Sequence, residues 1–569
     1  MKILTIHADY LKFQVREKAI KNAEETDKKE HEIKECLIVF TAVEKKDEND
    51  LKEIANKLAE EITLIANQVK TKNIVLYPYA HLSSDLAKPE HAFNVLKEAE
   101  SLLKKKYRIT RAPFGYYKSF ELKCKGHPLS ELSREIRIEE ITTKSEETSL
   151  KRTRSQLMGS ISQTKLDTSK LKENDHRILG QKLGLFMFNE SSPGSPYWLP
   201  NGLIIYNELI SFWREEHVKA GYQETMTPLV NKKELYEISG HWNYYKEHMF
   251  VAPMGEEAYC LKPMNCPNAM LIFKSQTRSY KDLPLRLSDI DRLHRYELSG
   301  VLNGLLRVRA FQQDDAHNFV TEDMVDDEFA NIFKICEKFY GVFGLEYTFR
   351  MGTRPEKALG DEKIWKKAEK MLEAILKKSG KKFTILNYDG AFYGPKVDII
   401  MTDSLGREWQ MGTIQLDFNL PEQFGLKYVD REGKEKTPVC IHRVIYGSLE
   451  RFIGILLEHT QGKLPLWLSP IQVRIINFTD RNKEATEKII RKIVQEIPSL
   501  RIDSDFRQTT VNDKIRDAEL QKIPYTITIG DKEEQAQTLA VRERGKKPVF
   551  GIKLETFVKE LKEKIEKKQ

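Results

Sequence analysis

VCIHRVIYGSLERFIGILLEH, residues 439–459, reads as a buried strand, a glycine turn at Gly447 and a helix that carries Arg451 in its first turns. Two stretches upstream belong with it. LRLSDIDRLHRYE (285–297) and RVRAFQQDDAHNF (307–319) read as two strands flanking a polar, glycine-containing loop, LSGVLNGL (298–305). Arg295, Arg307 and Arg309 cluster there with Glu297, Asp314 and Asp315; by charge alone this is a solvated strand face knitted together by ion pairs. Further upstream, LIIYNELISFWREEHV (203–218) is an apolar-rich helix that runs into a strand ending at Thr227-Pro228, and it suits a core or dimer helix.

These stretches lie in a chain of 569 residues, long enough for roughly three or four domains. Hydrophobic residues make up 40% and charged residues 31%, so large cores are available and wholesale disorder is excluded. The net charge of +8 permits a nucleic-acid partner without demanding one. Six scattered cysteines with no C-x-x-C exclude a disulfide scaffold and fit a reducing compartment. No stretch reads as a signal peptide or membrane span, so the expectation is a cytoplasmic protein.

The pattern predicts four segments. Residues 1–140 alternate strands (2–13, 33–42, 73–79) with helices (51–69, 91–106), followed by strand-like sequence over 107–122 broken by Pro113 and Gly115, as in a small α/β domain. Residues 141–175 are polar and read as a linker. Residues 176–466 form a large block. Residues 467–569 alternate strand and helix again, and from 468 onward 22 basic residues face 17 acidic ones, so more than half of the positive excess lies in this last segment.

Some chemistries are missing. There is no G-x-G and no G-K-[ST], so neither Rossmann nor Walker A phosphate binding applies. No two of the thirteen histidines stand four apart, which removes H-E-x-x-H zinc helices, and there is no G-x-S-x-G elbow.

The strings KPMNCPN (262–268), LHRYE (293–297), RVRAFQQDDAH (307–317), AFYGPK (391–396), MGTIQLDF (411–418) and IHRVIYGSLERF (441–452) together resemble the signature motifs of class II aminoacyl-tRNA synthetases, and within that class the threonyl-tRNA synthetases. The resemblance implies an α/β and α+β multidomain protein whose catalytic core is a class II antiparallel sheet. In this family ATP lies bent on that sheet and is gripped by arginines instead of a glycine loop. It implies Arg295, Gln313 and Lys396 around the reacting carboxylate and α-phosphate, Arg295, Glu297, Arg307, Phe311, Gln410 and Arg451 in ATP binding, and Asp315, Met264, Tyr393 and Gln415 in threonine binding. A guanidinium fork matches both phosphate and carboxylate, and a planar cation with an aromatic face suits adenine. It also implies one Zn2+ per subunit on Cys266, His317 and His442, three residues whose spacing no sequence rule would flag, and Mg2+ accompanying ATP.

A zinc-bound hydroxyl separates threonine from valine. Serine lacks only a methyl, which supports about 10- to 200-fold discrimination, so a second sieve is expected. The first segment, through LYPYAHLS (76–83), RAPFGYYKSF (111–120) and KGHPLSELSREI (125–136), resembles the editing domain of archaeal threonyl-tRNA synthetases, itself similar to D-aminoacyl-tRNA deacylases. That likeness implies Pro78, Ala80, His81, Tyr117, Lys118 and Glu131 as editing residues, with Lys118 in positioning and charge stabilisation. The last segment resembles the anticodon-binding α/β domain of several class II enzymes through DKEEQAQTLAVRER (531–544), which implies Glu533 and Arg542 as anticodon readers; RQTTVNDKIRD (507–517) departs from the family's usual string. The implied partners are threonine tRNA, ATP, L-threonine and a second subunit in a homodimer, with no membrane. The same fold also serves prolyl, seryl and glycyl enzymes, and a non-catalytic, RNA-binding regulatory paralogue is the alternative. The full arginine set argues against the latter.

Overall fold

A computed structural model describes residues 1–20, 23–26, 29–83, 85–127, 129–136, 171–255, 257–403 and 406–569. The chain divides into two compact units, residues 1–152 and 153–569. Residues 141–170 of the expected linker lie outside the described residues.

The first unit is a six-stranded sheet. Its elements are β1 (Lys2–Lys18), β2 (Glu30–Ala42), α1 (Leu51–Gln68), β3 (Asn73–Pro78), α2 (Pro89–Leu103), β4 (Arg108–Arg111), β5 (Tyr116–Cys124) and β6 (Glu131–Glu135). The strand order is β4-β3-β2-β1-β5, and β6 pairs with the first residues of β1. β1 runs five residues beyond the predicted strand, because its second half has its own partner in β5. The stripe Leu51, Ile54, Leu58, Ile62 and Ile65 turns α1 onto the sheet, and Asp50 caps it by accepting from Glu53 N.

The second unit is built on a nine-stranded sheet. Its main elements are α3 (Pro200–Lys219), α4 (Cys266–Lys274), β7 (Leu285–Asp289), β8 (Arg292–His294), β9 (Ala310–Val320), α5 (Val325–Gly341), β10 (Tyr347–Gly352), α6 (Glu362–Ser379), β11 (Phe383–Leu386), β12 (Lys396–Thr402), β13 (Glu408–Asp417), β14 (Val439–Ser448) and α7 (Leu449–Thr460). The order is β11-β10-β12-β13-β14-β9-β7, closed by a two-residue strand at Gln223–Glu224, with β8 also paired to β9. The inner pairs β12/β13, β13/β14, β14/β9 and β9/β7 are all antiparallel. Two expectations shorten here. The strand expected over 285–297 breaks between Asp289 and Arg292, and the one expected to end at Thr227-Pro228 is confined to residues 223–224.

Side chains of a strand alternate between faces. Ala316, Ile414, Leu416, Ile441 and Ile445 join the main core with α3, α5, α6 and α7. At one end of the opposite face, α4 packs with Leu285, Leu287, Phe319 and Cys440, leaving the rest of that face as an open floor.

The chain ends in a five-stranded sheet with its own apolar cluster: β15 (Val473–Asn477), α8 (Lys483–Glu496), β16 (Ile502–Asp505), α9 (Val511–Leu520), β17 (Tyr525–Ile529), β18 (Thr538–Glu543), β19 (Val549–Lys553) and α10 (Leu554–Glu566), in the strand order β16-β15-β17-β18-β19. No helix among the described residues is long and apolar enough to cross a membrane.

Candidate active site

The uncovered sheet floor carries a cavity of about 440 Å3. Phe311, Gln313, Asp315 and His317 line it from alternate positions of β9, Thr413 and Gln415 from β13, and His442 and Val444 from β14. The register is direct: His317 pairs with His442, and His442 with Gln415, so three adjacent strands present these side chains in a row. Between Asp315, which pairs with Val444, and Gln313, which pairs with Ser448, the register shifts, so the extra residues lie in β14 around Gly447.

At one end of the cavity the side chains are cationic. Arg295, Arg307 and Arg451 line it with one carboxylate, Glu297, which accepts both Arg307 Nη2 (2.8 Å) and Nε (3.1 Å). The Arg295 guanidinium lies 5.1 Å over the Phe311 ring. Arg451 donates Nε to Leu306 O (3.0 Å), and burial together with Arg295 and Arg307 holds its guanidinium below the usual range. This end of the cavity is short of negative charge, the condition for an anion site.

The turn at Gly447 delivers Ser448 and α7 to this end. Its φ of +80° belongs to the left-handed region, and a Cβ there would stand 2.2 Å from Met411 O on the neighbouring strand. Asp314 holds the turn from beneath, accepting backbone N–H bonds from Ile445, Tyr446 and Gly447 at 3.0–3.2 Å. Asp314 is fully buried and Asp315 accepts from Asn265 Nδ2 at 3.1 Å, so neither belongs to a solvated ion-paired face. Of the charges grouped in the sequence, Glu297 and Arg307 form the ion pair.

At the other end Cys266, His317 and His442 converge. Their ligand atoms lie within 4.8 Å of one another and all three residues are buried. His442 Nε2 meets Asp417 Oδ2 at 2.8 Å, which leaves Nδ1 as the ring nitrogen available to a metal, and His317 Nδ1 is buried with no hydrogen-bond partner. Metal-bound histidines characteristically give their second nitrogen to a carboxylate in this way. Burial, with Asp315 and Asp417 nearby, pushes the Cys266 thiol well up, and a bound cation reverses that balance. One thiolate and two imidazoles with an open side suit zinc, so the residues present fit that ion. A second cluster, Asp175, His176 and Glu458, does not fit one: His176 Nδ1 contacts Glu458 Oε1 at 2.7 Å and Nε2 accepts from Leu305 N at 3.0 Å, so both ring nitrogens are used.

Met264, Tyr393, Gln410 and Gln415 also line the cavity, and Tyr393 OH is hydrogen-bonded to Gln415 Oε1. Lys396 is the one residue of the predicted set that does not line it. Its Nζ is held between Asp389 (3.0 Å) and the buried Asp398 (3.1 Å), and Asp398 in turn accepts from Gln410 Nε2 (2.7 Å). Sequence reasoning passed over Asp417, Asn265 and His241, whose Nε2 lies 3.5 Å from Cys266 Sγ. Asp417 could have been found by counting two positions beyond Gln415 to the same strand face.

The first unit holds a second cavity, about 420 Å3, lined by Pro78, Ala80, His81, Tyr117 and Lys118. Lys118 Nζ donates to Pro113 O (2.9 Å) and Tyr116 O (3.1 Å), and burial lowers its pKa to about 8. Glu131 is not brought there; it is exposed on β6, opposite Ile6 of β1. In the C-terminal sheet, Glu533 Oε2 accepts from Gly530 N at 3.1 Å, while Arg542 donates Nη1 to Lys546 O at 3.1 Å and its Nε is buried without a partner.

Comparison with known proteins finds three family models along the chain: an archaea-specific editing domain of threonyl-tRNA synthetase over residues 1–136, a class II tRNA synthetase core domain (G, H, P, S and T) over 249–460, and an anticodon binding domain over 472–564. Threonine–tRNA ligases of Syntrophomonas wolfei and Desulfatibacillum aliphaticivorans are 47% and 49% identical over 69% and 68% of this chain. The chain spans 62% and 60% of the length of those two relatives. A crystal structure described as the RNA binding domain of threonyl-tRNA synthetase from Cryptosporidium parvum Iowa II is 40% identical, with a TM-score of 0.66, over 68% of this chain and 98% of that one.

Proposed function

Because the chain belongs to the threonyl-tRNA synthetase family, we propose that it is a threonine–tRNA ligase that activates L-threonine with ATP, passes it to the 3′ end of threonine tRNA, and hydrolyses mischarged seryl-tRNA in its first unit. One juxtaposition carries the reading: a thiol and two imidazoles at one end of a sheet-floored cavity, three arginines at the other.

In this reading the polyphosphate of ATP supplies the negative charge that the arginine end lacks. Arg295 contacts the α-phosphate and the threonine carboxylate, Arg307 the outer phosphates, and Phe311 and Arg451 flank adenine with Glu297 at its edge. The carboxylate oxygen attacks the α-phosphorus in line, the bond to the β-phosphate breaks, and pyrophosphate leaves; Mg2+ accompanying ATP would neutralise phosphate charge. A ribose hydroxyl of the tRNA then attacks the adenylate carbonyl and AMP departs. Arg295 and Gln313 stabilise charge developing at both centres. Lys396 is a positioning residue that acts through Asp398 on Gln410.

Cys266, His317 and His442 would hold one zinc ion, which would supply Lewis-acid positions for the amino and hydroxyl groups of threonine; valine, with the amino group and no hydroxyl, would leave one of them unfilled. Asp315 accepts hydrogen bonds from those same groups, and Met264, Tyr393 and Gln415 close around the side chain. Serine passes this filter, so the second cavity removes it, with Lys118 positioning the ester and stabilising charge beside His81 and Tyr117.

Editing, linker, catalytic and anticodon functions are assigned to residues 1–140, 141–175, 176–466 and 467–569, with Glu131 a peripheral editing contact and Glu533 and Arg542 meeting the anticodon. A cytoplasmic homodimer is part of the same reading; on α3, Leu203 is 45% and Val218 73% exposed. Amino-acid-dependent ATP–pyrophosphate exchange tests the proposal. Exchange with threonine is expected; exchange with serine alone, or none with any amino acid, overturns it.

A further inference from the structure

One buried imidazole of the second unit serves neither metal nor substrate. His176 opens the short helix His176–Lys182, is fully buried and does not line the cavity. Its Nε2 accepts the backbone N–H of Leu305 (3.0 Å), so the single ring proton sits on Nδ1 and goes to Glu458 Oε1 (2.7 Å), which also accepts His176 N (3.2 Å). The ring is thereby a neutral bridge with a fixed tautomer, acceptor on one side and donor on the other.

The two pieces it joins both carry arginines of the cationic end. Leu305 belongs to a tight turn, in which Asn303 N donates to Arg307 O (3.1 Å) and Leu306 N to Asn303 O (2.9 Å). Glu458 belongs to α7, which carries Arg451 in its first turn. Nearer the cavity the same two pieces meet again, where Arg451 Nε donates to Leu306 O (3.0 Å). Two glycines admit this approach. A Cβ on Gly304 would stand 2.2 Å from His176 Nε2, and one on Gly454, inside α7, would stand 3.1 Å from Leu306 Cδ2 and 3.2 Å from Leu305 Cβ. Glycine in a helix interior costs stability, and here the missing side chain is the space the turn occupies.

We infer that His176 is a positioning residue for ATP: it fixes the turn 303–307 against α7, so that Arg307 and Arg451 face the nucleotide in one geometry. This rests on the ligase reading and adds to it a residue outside the cavity. Without the ring acceptor, Leu305 N–H is a buried donor with no partner, and the turn loses its tie to α7 at that point.

Two amides divide the ring's functions. In His176→Gln the side-chain oxygen reaches as far as Nε2 and still accepts from Leu305, whereas in His176→Asn the shorter amide reaches only the Nδ1 position, keeping the bond to Glu458 and leaving Leu305 N–H unpaired. Threonine-dependent ATP–pyrophosphate exchange by the full chain should show a KM for ATP about 10- to 100-fold higher in His176→Asn and within about threefold of wild type in His176→Gln, with KM for threonine at saturating ATP within about twofold in both. Gly304→Ala crowds the same contact from the loop side and should likewise raise KM for ATP alone, which decides the matter if His176→Asn does not fold. Amide hydrogen exchange over residues 303–307 reads the tie without catalysis: Leu305 should be protected in the wild type and in His176→Gln, and less so in His176→Asn. Absence of pyrophosphate exchange in the wild type overturns the ligase reading, while amide protection still tests the tie. An unprotected Leu305 in the wild type, equal KM values for ATP in the Asn and Gln variants, or equal rises in KM for ATP and threonine overturn the positioning role.

Discussion

Replacing Gly447 by alanine tests whether the strand-to-helix turn holds the arginine end of the cavity in place. Two costs add. The φ of +80° is strained for any residue with a Cβ, about 1–2 kcal/mol. The new Cβ would stand 2.2 Å from Met411 O, a backbone atom of a central strand that cannot rotate away, so β13 or β14 must shift, about 1–3 kcal/mol. The total is about 2–5 kcal/mol. The displacement reaches the site because Met411 adjoins Gln410, whose carbonyl accepts Arg451 Nη1 at 3.4 Å, and Arg451 lies one turn beyond Gly447. Misplacing a phosphate-side arginine by about 1 Å costs on the order of 100-fold in kcat/KM for ATP. Gly433→Ala separates the two costs: its φ is +79° but nothing lies within 4 Å of the Cβ, so only the backbone cost applies. Thermal unfolding of the full chain with pyrophosphate-exchange kinetics should place Gly447→Ala roughly 4–10 °C below wild type, at about 2 °C per kcal/mol, and Gly433→Ala within about 2–4 °C with unchanged kinetics. Equal Tm values for the two variants, or an unchanged kcat/KM for ATP in Gly447→Ala, would refute the reasoning.

Other expectations follow from single contacts. Asp417→Asn weakens the acceptor on His442 Nε2 and should lower zinc retention against a chelator by about 10- to 100-fold; unchanged retention would show that the ring needs no such support. Lys118 has its pKa lowered to about 8 by burial, so it is mainly charged at pH 7 and loses its charge as pH rises through 8; seryl-tRNA deacylation, corrected for spontaneous hydrolysis, should fall across that interval, and a rise would assign Lys118 to base chemistry instead. Lys396→Met leaves the buried Asp398 with Arg350 as its remaining cation and should destabilise by about 1.5–3 kcal/mol, seen as a fall in Tm; a kcat loss without any loss of stability would restore the residue to the reacting centre.

The site was legible where one strand carries it. In RVRAFQQDDAHNF the alternation alone sets Phe311, Gln313, Asp315 and His317 on one face, and the structure keeps them there. It was illegible where partners distant in sequence decide. Alternation parts Asp314 from Asp315, but nothing in the pattern says that Asp314 holds the backbone turn at Ile445, Tyr446 and Gly447. Lys396 and Glu131 sit in matching strings, but local ion pairing and strand register set each away from the cavity it was expected to line. Register depends on partners distant in sequence, which periodicity cannot report.

The direct pairing of His317 with His442 also sets a schedule for synthesis. Cys266 and His442 are 176 positions apart, a delay of roughly 9–35 s at 5–20 residues per second, and β14 has to be docked beside β9 before the imidazoles face each other. Through that interval the nascent chain presents first Cys266 alone and then Cys266 with His317, two of the three ligands. If these three residues hold zinc as proposed, loading is a late event, and a shortage of the metal would leave a sheet already closed around an empty set of ligands instead of a chain that failed to start folding.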